Sequence, residues 1–131
     1  MLRFAALYGL TALLFVSVDL LWLAVVARSF YRDGLGSLLS DRPNLVAAVA
    51  FYALYIVGLV VFAAARGVSA GDWRLAFGYG ALFGLCAYGT YDLTNLATLT
   101  GFPLRLALVD MAWGTVLSGT AAAVAAAVLR G

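Results

Sequence analysis

Three aspartates, Asp19, Asp92 and Asp110, stand inside stretches that are otherwise apolar enough to cross a bilayer. A carboxylate in hydrocarbon costs several kcal/mol unless it is protonated, paired or bound to a cation. No Lys, Arg or His lies at comparable depth to pair with them. Three like charges in one low-dielectric layer cannot all ionise unaided, so protons or a cation must accompany them. A polar site within the membrane is therefore the first functional expectation.

Helical spacing supplies each aspartate with neighbours. Tyr8, Thr11, Phe15, Asp19 and Trp22 share one face. Tyr88, Asp92 and Asn95 share another, with Tyr91 beside it, and Asp110, Trp113 and Leu117 share a third. A further stretch brings no acid, but Tyr52 and Tyr55 reach similar depth, with Asn44 above them. The expected pocket is Asp19, Trp22, Tyr52, Tyr55, Tyr88, Tyr91, Asp92, Asn95, Asp110 and Trp113. Tyr and Trp carry polar handles able to bond a carboxylate. Oxygen ligands at Asp19, Asp92 and Asp110 suit a hard cation such as Mg²⁺, Ca²⁺ or Na⁺. No other cofactor is expected. The alternative is structural: carboxylates bonded to backbone and Tyr hydroxyls that lock the bundle. The pattern Asp-x-x-Trp occurs twice, at Asp19–Trp22 and Asp110–Trp113, either by chance or as the trace of an internal repeat.

The elements that position these residues follow from composition. Of 131 residues, 66% are hydrophobic and only 11% are charged. A soluble domain carries about 25% charged residues, so the chain reads as an all-α polytopic membrane protein in one domain, residues 1–131. About 20 helical residues span a bilayer core. Four stretches qualify, at about 4–27, 45–65, 75–98 and 104–129, and predict a bundle of four transmembrane helices with short loops. The first is too long for a signal-peptide core and carries Asp19, so it reads as a span.

The breaks are the run Arg28 to Gly34, then Asp41-Arg42-Pro43-Asn44, Arg66-Gly67, Ser69 to Arg74, and Thr100-Gly101-Phe102-Pro103. Phe30, Tyr31 and Trp73 stand where interfacial aromatics belong. Leu35, Leu38 and Leu39 recur at helical spacing in the longest connection, which reads as a surface amphipathic piece or an ordinary loop. Gly80 and Gly84, and the row Gly114, Ser118, Ala122 and Ala126, are small-residue faces for helix packing within the bundle, with a homodimer contact as the alternative.

A rise of about 1.5 Å per residue sets depth. Asp19 lies roughly 13 Å below Arg28, and Asp92 and Asp110 lie roughly 10 Å below the turn that joins their helices. Because the helices alternate in direction, all three distances are measured from one side. The carboxyls share a layer.

The remaining composition mostly excludes. All eight cations are Arg and all six anions are Asp, with no His. A formal charge of +2 gives no argument for nucleic acid. Cys86 is alone, so no internal disulfide can form. Without His or Cys clusters, haem, iron–sulfur and ordinary zinc sites drop out. Arg3, Arg66, Arg74 and Arg130 on one side balance Arg28, Arg32, Arg42 and Arg105 on the other. The positive-inside rule is tied, and the amino group and shorter loop favour an N-terminus inside.

The stretch Tyr91-Asp92-Leu93-Thr94-Asn95-Leu96-Ala97-Thr98-Leu99, followed by Pro103-Leu104 and Leu108 to Thr115, is distinctive. With Asp19-Leu20-Leu21-Trp22-Leu23, Phe30-Tyr31 and Phe51-Tyr52-Ala53-Leu54-Tyr55, it resembles the small bacterial membrane proteins grouped as Domain of Unknown Function 2177. The resemblance covers essentially the whole chain. It implies a four-helix, multi-pass protein of the bacterial inner membrane and implies no activity.

Three functions compete. The first is binding or transport of a small cation, with or without proton coupling, or of an amphiphilic ligand, by a protein that works as a dimer. The second is an accessory subunit or assembly factor of a larger membrane complex. The third is a metal-dependent, lipid-modifying enzyme using Mg²⁺, Mn²⁺ or Ca²⁺. The absence of any Glu or His base and of a recognised catalytic motif weighs against an enzyme. The expected surroundings are the lipid bilayer, not nucleic acid.

Overall fold

The computed structural model describes residues 2–26, 28–36 and 44–129. Helix α1 (Leu2–Leu21) runs into a wider π turn, Trp22–Val26, and α2 (Arg28–Leu35) is short. Helix α3 (Leu45–Leu59) continues through a second π turn, Val60–Ala64, into α4 (Ala65–Ala70). Helices α5 (Trp73–Thr98) and α6 (Leu104–Leu129) complete the order. The described residues thus make four long rods, and three of these, Arg3–Val25, Leu45–Ala70 and Leu104–Leu129, are long and apolar enough to cross a membrane. Helix α5 equals α6 in length, at 26 residues, but Asp92, Asn95 and its Gly, Thr and Tyr residues dilute its apolar character.

The boundaries depart from expectation in two places. The run Arg28 to Gly34, which follows the first rod, is itself helical, as α2. It contains no proline, and its half-buried Phe30 and Leu35 pack on Phe102, Leu106 and Ala107, so tertiary contact sustains a helix there. Arg66-Gly67 does not stop the second rod. Gly67 is buried, and a Cβ there would lie 2.5 Å from Ala76 Cβ, so this glycine serves close packing. The stop comes at Gly71, whose φ of 65° is the left-handed conformation that ends helices. Asp72 then caps α5, its side chain accepting from Arg74 N at 2.9 Å. Asn44, expected above the site, instead caps α3, accepting from Ala47 N at 3.0 Å. Leu38, Leu39, Asp41, Arg42, Pro43 and Arg130 lie outside the described residues.

Helices α5 and α6 form the closest pair. Gly80 and Gly84 face Gly114, Ser118 and Ala122, so the two small-residue rows meet each other within the chain. A Cβ on Gly80 would sit 2.8 Å from the Ser118 carbonyl oxygen. Backbones this close leave no room for side chains, which is how van der Waals packing replaces the hydrophobic effect between membrane helices.

The bundle has two unlike ends. Where α4, the start of α5 and the end of α6 meet, the core is Ala63, Ala64, Ala76, Ala122, Ala125 and Ala126. Arg3 closes this end by donating from Nη2 to the Leu129 carbonyl at 3.1 Å. Towards the other end, the core passes to Phe15, Tyr52, Tyr55, Tyr88 and Trp113. The second rod packs on α5 through α4 and the adjoining π turn, while α3 stands off from α5. Accordingly Leu45, Val46, Val49, Phe51 and Leu54 of α3 are all exposed. Large side chains at one end and alanines at the other wedge the rods apart where the aspartates lie.

Candidate functional site

The wedge encloses a cavity of about 380 Å³. Its lining comes from all four rods: Asp19 and Leu23 from the first, Phe51, Tyr52 and Tyr55 from α3, Ala87, Tyr88 and Tyr91 from α5, and Asp110 from α6. Leu23, Phe51 and Tyr91 are its exposed lining residues, so it opens sideways between α1, α3 and α5. Phe51 lies seven residues into the rod from Asn44, and Tyr91 seven before Thr98, which sets the mouth roughly 10 Å below the rod ends.

Asp19 is 5% exposed and fully engaged. Tyr52 donates its hydroxyl to Oδ2 at 2.5 Å, and Trp113 donates its indole Nε1–H to Oδ1 at 2.9 Å. Both lengths fall in the well-formed range for O–H and N–H donors. The Trp113 ring is stacked on Trp22, with centroids 4.2 Å apart and planes 9° from parallel. The two Asp-x-x-Trp segments therefore meet: the tryptophan of the second bonds the aspartate of the first, and the tryptophans stack. Trp22 opens the π turn, and such widened turns recur where a helix re-aims side chains at a site.

The cavity floor is aromatic. Tyr55 is buried and shares a 2.6 Å hydrogen bond with Ser118 Oγ on α6. Phe15 lies beneath, its ring 5.0 Å from that of Tyr55 and 6.2 Å from that of Tyr52. Tyr88 meets Tyr55 edge-on at 6.0 Å. Thr11 is buried deeper and does not reach the cavity.

Asp92 does not line the cavity. It is 1% exposed, enclosed on the α6 side of α5, and neither of its oxygens makes a well-formed hydrogen bond. The Asp110 carboxyl lies alongside, close enough to interact with it directly. Asp110 thus has one side towards Asp92 and the other towards the cavity. Asn95, a turn beyond Tyr91 on α5, interacts with the Tyr91 hydroxyl and stays outside the cavity.

Of the ten residues expected in the pocket, six line it: Asp19, Tyr52, Tyr55, Tyr88, Tyr91 and Asp110. Trp113 and Trp22 act through Asp19, whereas Asp92 and Asn95 sit behind the wall. The three-carboxylate cage for Mg²⁺, Ca²⁺ or Na⁺ does not form: among the described residues no three carboxylates converge on one point. Asp19 bonds Tyr52 and Trp113, whereas Asp92 and Asp110 lie against each other. Sequence reasoning passed over Phe51, Leu23, Ala87 and Ser118. Phe51 adjoins Tyr52 in the sequence, and Ser118 sits in the small-residue row of α6, where its size masks its hydroxyl's role.

A family model described as "Predicted membrane protein (DUF2177)" matches residues 4–127, nearly the whole chain. No curated protein and no solved structure matches it.

Proposed function

The chain belongs to the Domain of Unknown Function 2177 family of predicted membrane proteins, and from that premise we propose that it is an intramembrane binding protein for an amphiphilic ligand. In this reading α5 is a fourth span, the chain lies in a bacterial inner membrane with its N-terminus inside, and the cleft faces the acyl chains. One observation carries it: Asp19 and Asp110, brought by the first and last rods, line the same cavity among five aromatic rings, and the cavity opens sideways. A polar interior with an apolar, lipid-level mouth suits a molecule that has both characters. The cavity's size and lining suit part of such a molecule, with the remainder left among the lipids.

The test is photo-crosslinking of the whole protein in vesicles containing a phospholipid with a diazirine on its head group. Adducts are expected to concentrate at Phe51, Tyr88 and Tyr91, and Ala87→Phe, which fills the cavity, should suppress them. Adducts spread evenly over outward residues such as Val46 and Leu54, unchanged by Ala87→Phe, would refute binding in the cleft. Flux into proteoliposomes under a pH gradient separates carrying a ligand from holding one.

A further inference from the structure

Resting on that reading, we infer that the ligand's head group is an organic cation, an amine or quaternary ammonium on an apolar body. Three observations converge. First, among the described residues the lining contains two carboxyl side chains and no Arg or Lys. Second, Phe51, Tyr52, Tyr55, Tyr88 and Tyr91 bring five aromatic rings to the same lining as those carboxyls. An aromatic cage is the usual receptor for an ammonium group, because each ring face carries negative quadrupole. Third, Asp92 lies directly behind Asp110 with neither oxygen in a well-formed hydrogen bond, so among the described residues this wall carries an excess of acidic groups. An anionic head group would add to that excess, whereas a cation offsets it.

A bare metal ion fits less well. Ca²⁺ takes about 6–8 oxygen ligands and Mg²⁺ requires a near-ideal octahedron, whereas Asp19 has both oxygens committed to Tyr52 and Trp113. A cavity of about 380 Å³ is also far larger than an ion requires. A bulky, weakly hydrated cation fills such a space with van der Waals contact to the rings and gives up little hydration on entering it.

The test compares matched probes on the whole protein in nanodiscs, read by calorimetry. Dodecyltrimethylammonium is set against its neutral carbon isostere, in which a tert-butyl group replaces the trimethylammonium, and against dodecyl sulfate. The wild type should bind the ammonium probe at least about tenfold more tightly than the isostere. Asp110→Asn should shrink that preference by weakening the ammonium probe more than the isostere. Phe51→Leu, at the exposed rim, should weaken the ammonium probe without disturbing the fold. Equal affinity for the ammonium and the isostere would overturn the cation inference yet leave an amphiphile site standing. Tighter binding of dodecyl sulfate would overturn it as well. Binding of none of the three, with Ala87→Phe equally silent, would remove the cleft as a binding site altogether.

Discussion

Asp19 and Trp113 are 94 residues apart in the chain and joined by a 2.9 Å hydrogen bond. The bond ties the first rod to the last at the level where the bundle widens. Trp113→Phe keeps a ring to stack on Trp22 but removes the donor. It should cost about 1–3 kcal/mol, the penalty of leaving a buried acceptor unsatisfied. Tyr52→Phe removes the other donor and should cost a similar amount. Because both act on one carboxylate, the double variant should depart from additivity by about 0.5–3 kcal/mol. Unfolding in mixed micelles measures all three, and strict additivity would show that Asp19 does not couple them.

The seam between α5 and α6 is the least forgiving part of the fold. Gly84→Leu forces a side chain into the Gly114 carbonyl and the Ser118 side chain and should destabilise by at least about 1–3 kcal/mol. Gly78 is the matched control on the same helix, since a Cβ there meets nothing within 4 Å. Gly78→Ala should be neutral or stabilising by roughly 0.5–1 kcal/mol. Similar losses at both positions, measured by thermal unfolding in detergent, would contradict the seam.

Asp92 and Asp110 lie side by side, and neither Asp92 oxygen makes a well-formed hydrogen bond. Asp92→Asn has nearly the same shape and supplies an N–H for Asp110. It should stabilise the protein by about 1 kcal/mol, while Asp92→Leu, which supplies none, should not. The same unfolding measurement decides, and a destabilised Asp92→Asn would mean that the pair is held by a group this substitution displaces.

Cys86 lies near the middle of α5, and its side chain is exposed on the outside of the bundle. If α5 crosses the membrane, this thiol faces acyl chains. It should resist a water-soluble maleimide in sealed vesicles and react once the protein is denatured. Rapid labelling in intact vesicles would place α5 outside the bilayer.

Much of this arrangement was legible in the residues. The last helix, Leu104–Leu129, follows directly from Pro103 at its start and the unbroken apolar run behind it. Counting residues inward from the turns puts Asp92 and Asp110 on neighbouring helices at one level, and they do lie side by side. What counting could not supply was rotation. Asp92 and Tyr91 are adjacent, yet Tyr91 lines the cavity and Asp92 turns to Asp110, because Gly80, Gly84 and Gly114 set the face on which α5 and α6 meet. The π turns were equally hidden, since nothing in Trp22–Val26 or Val60–Ala64 breaks helical periodicity. Gly67 misled because glycine marks both helix ends and close contacts, and only the partner, Ala76, tells which applies.

The sideways mouth between Phe51 and Tyr91 changes what concentration means for this protein. A guest arriving that way is drawn from molecules already dissolved in the bilayer, so its mole fraction among lipids sets occupancy, not its aqueous level. Partitioning enriches an amphiphile there before any contact with the protein is made. On the proposed reading, a site of modest intrinsic strength would suffice, and its apparent affinity in a test tube would scale with how much lipid or detergent dilutes the guest.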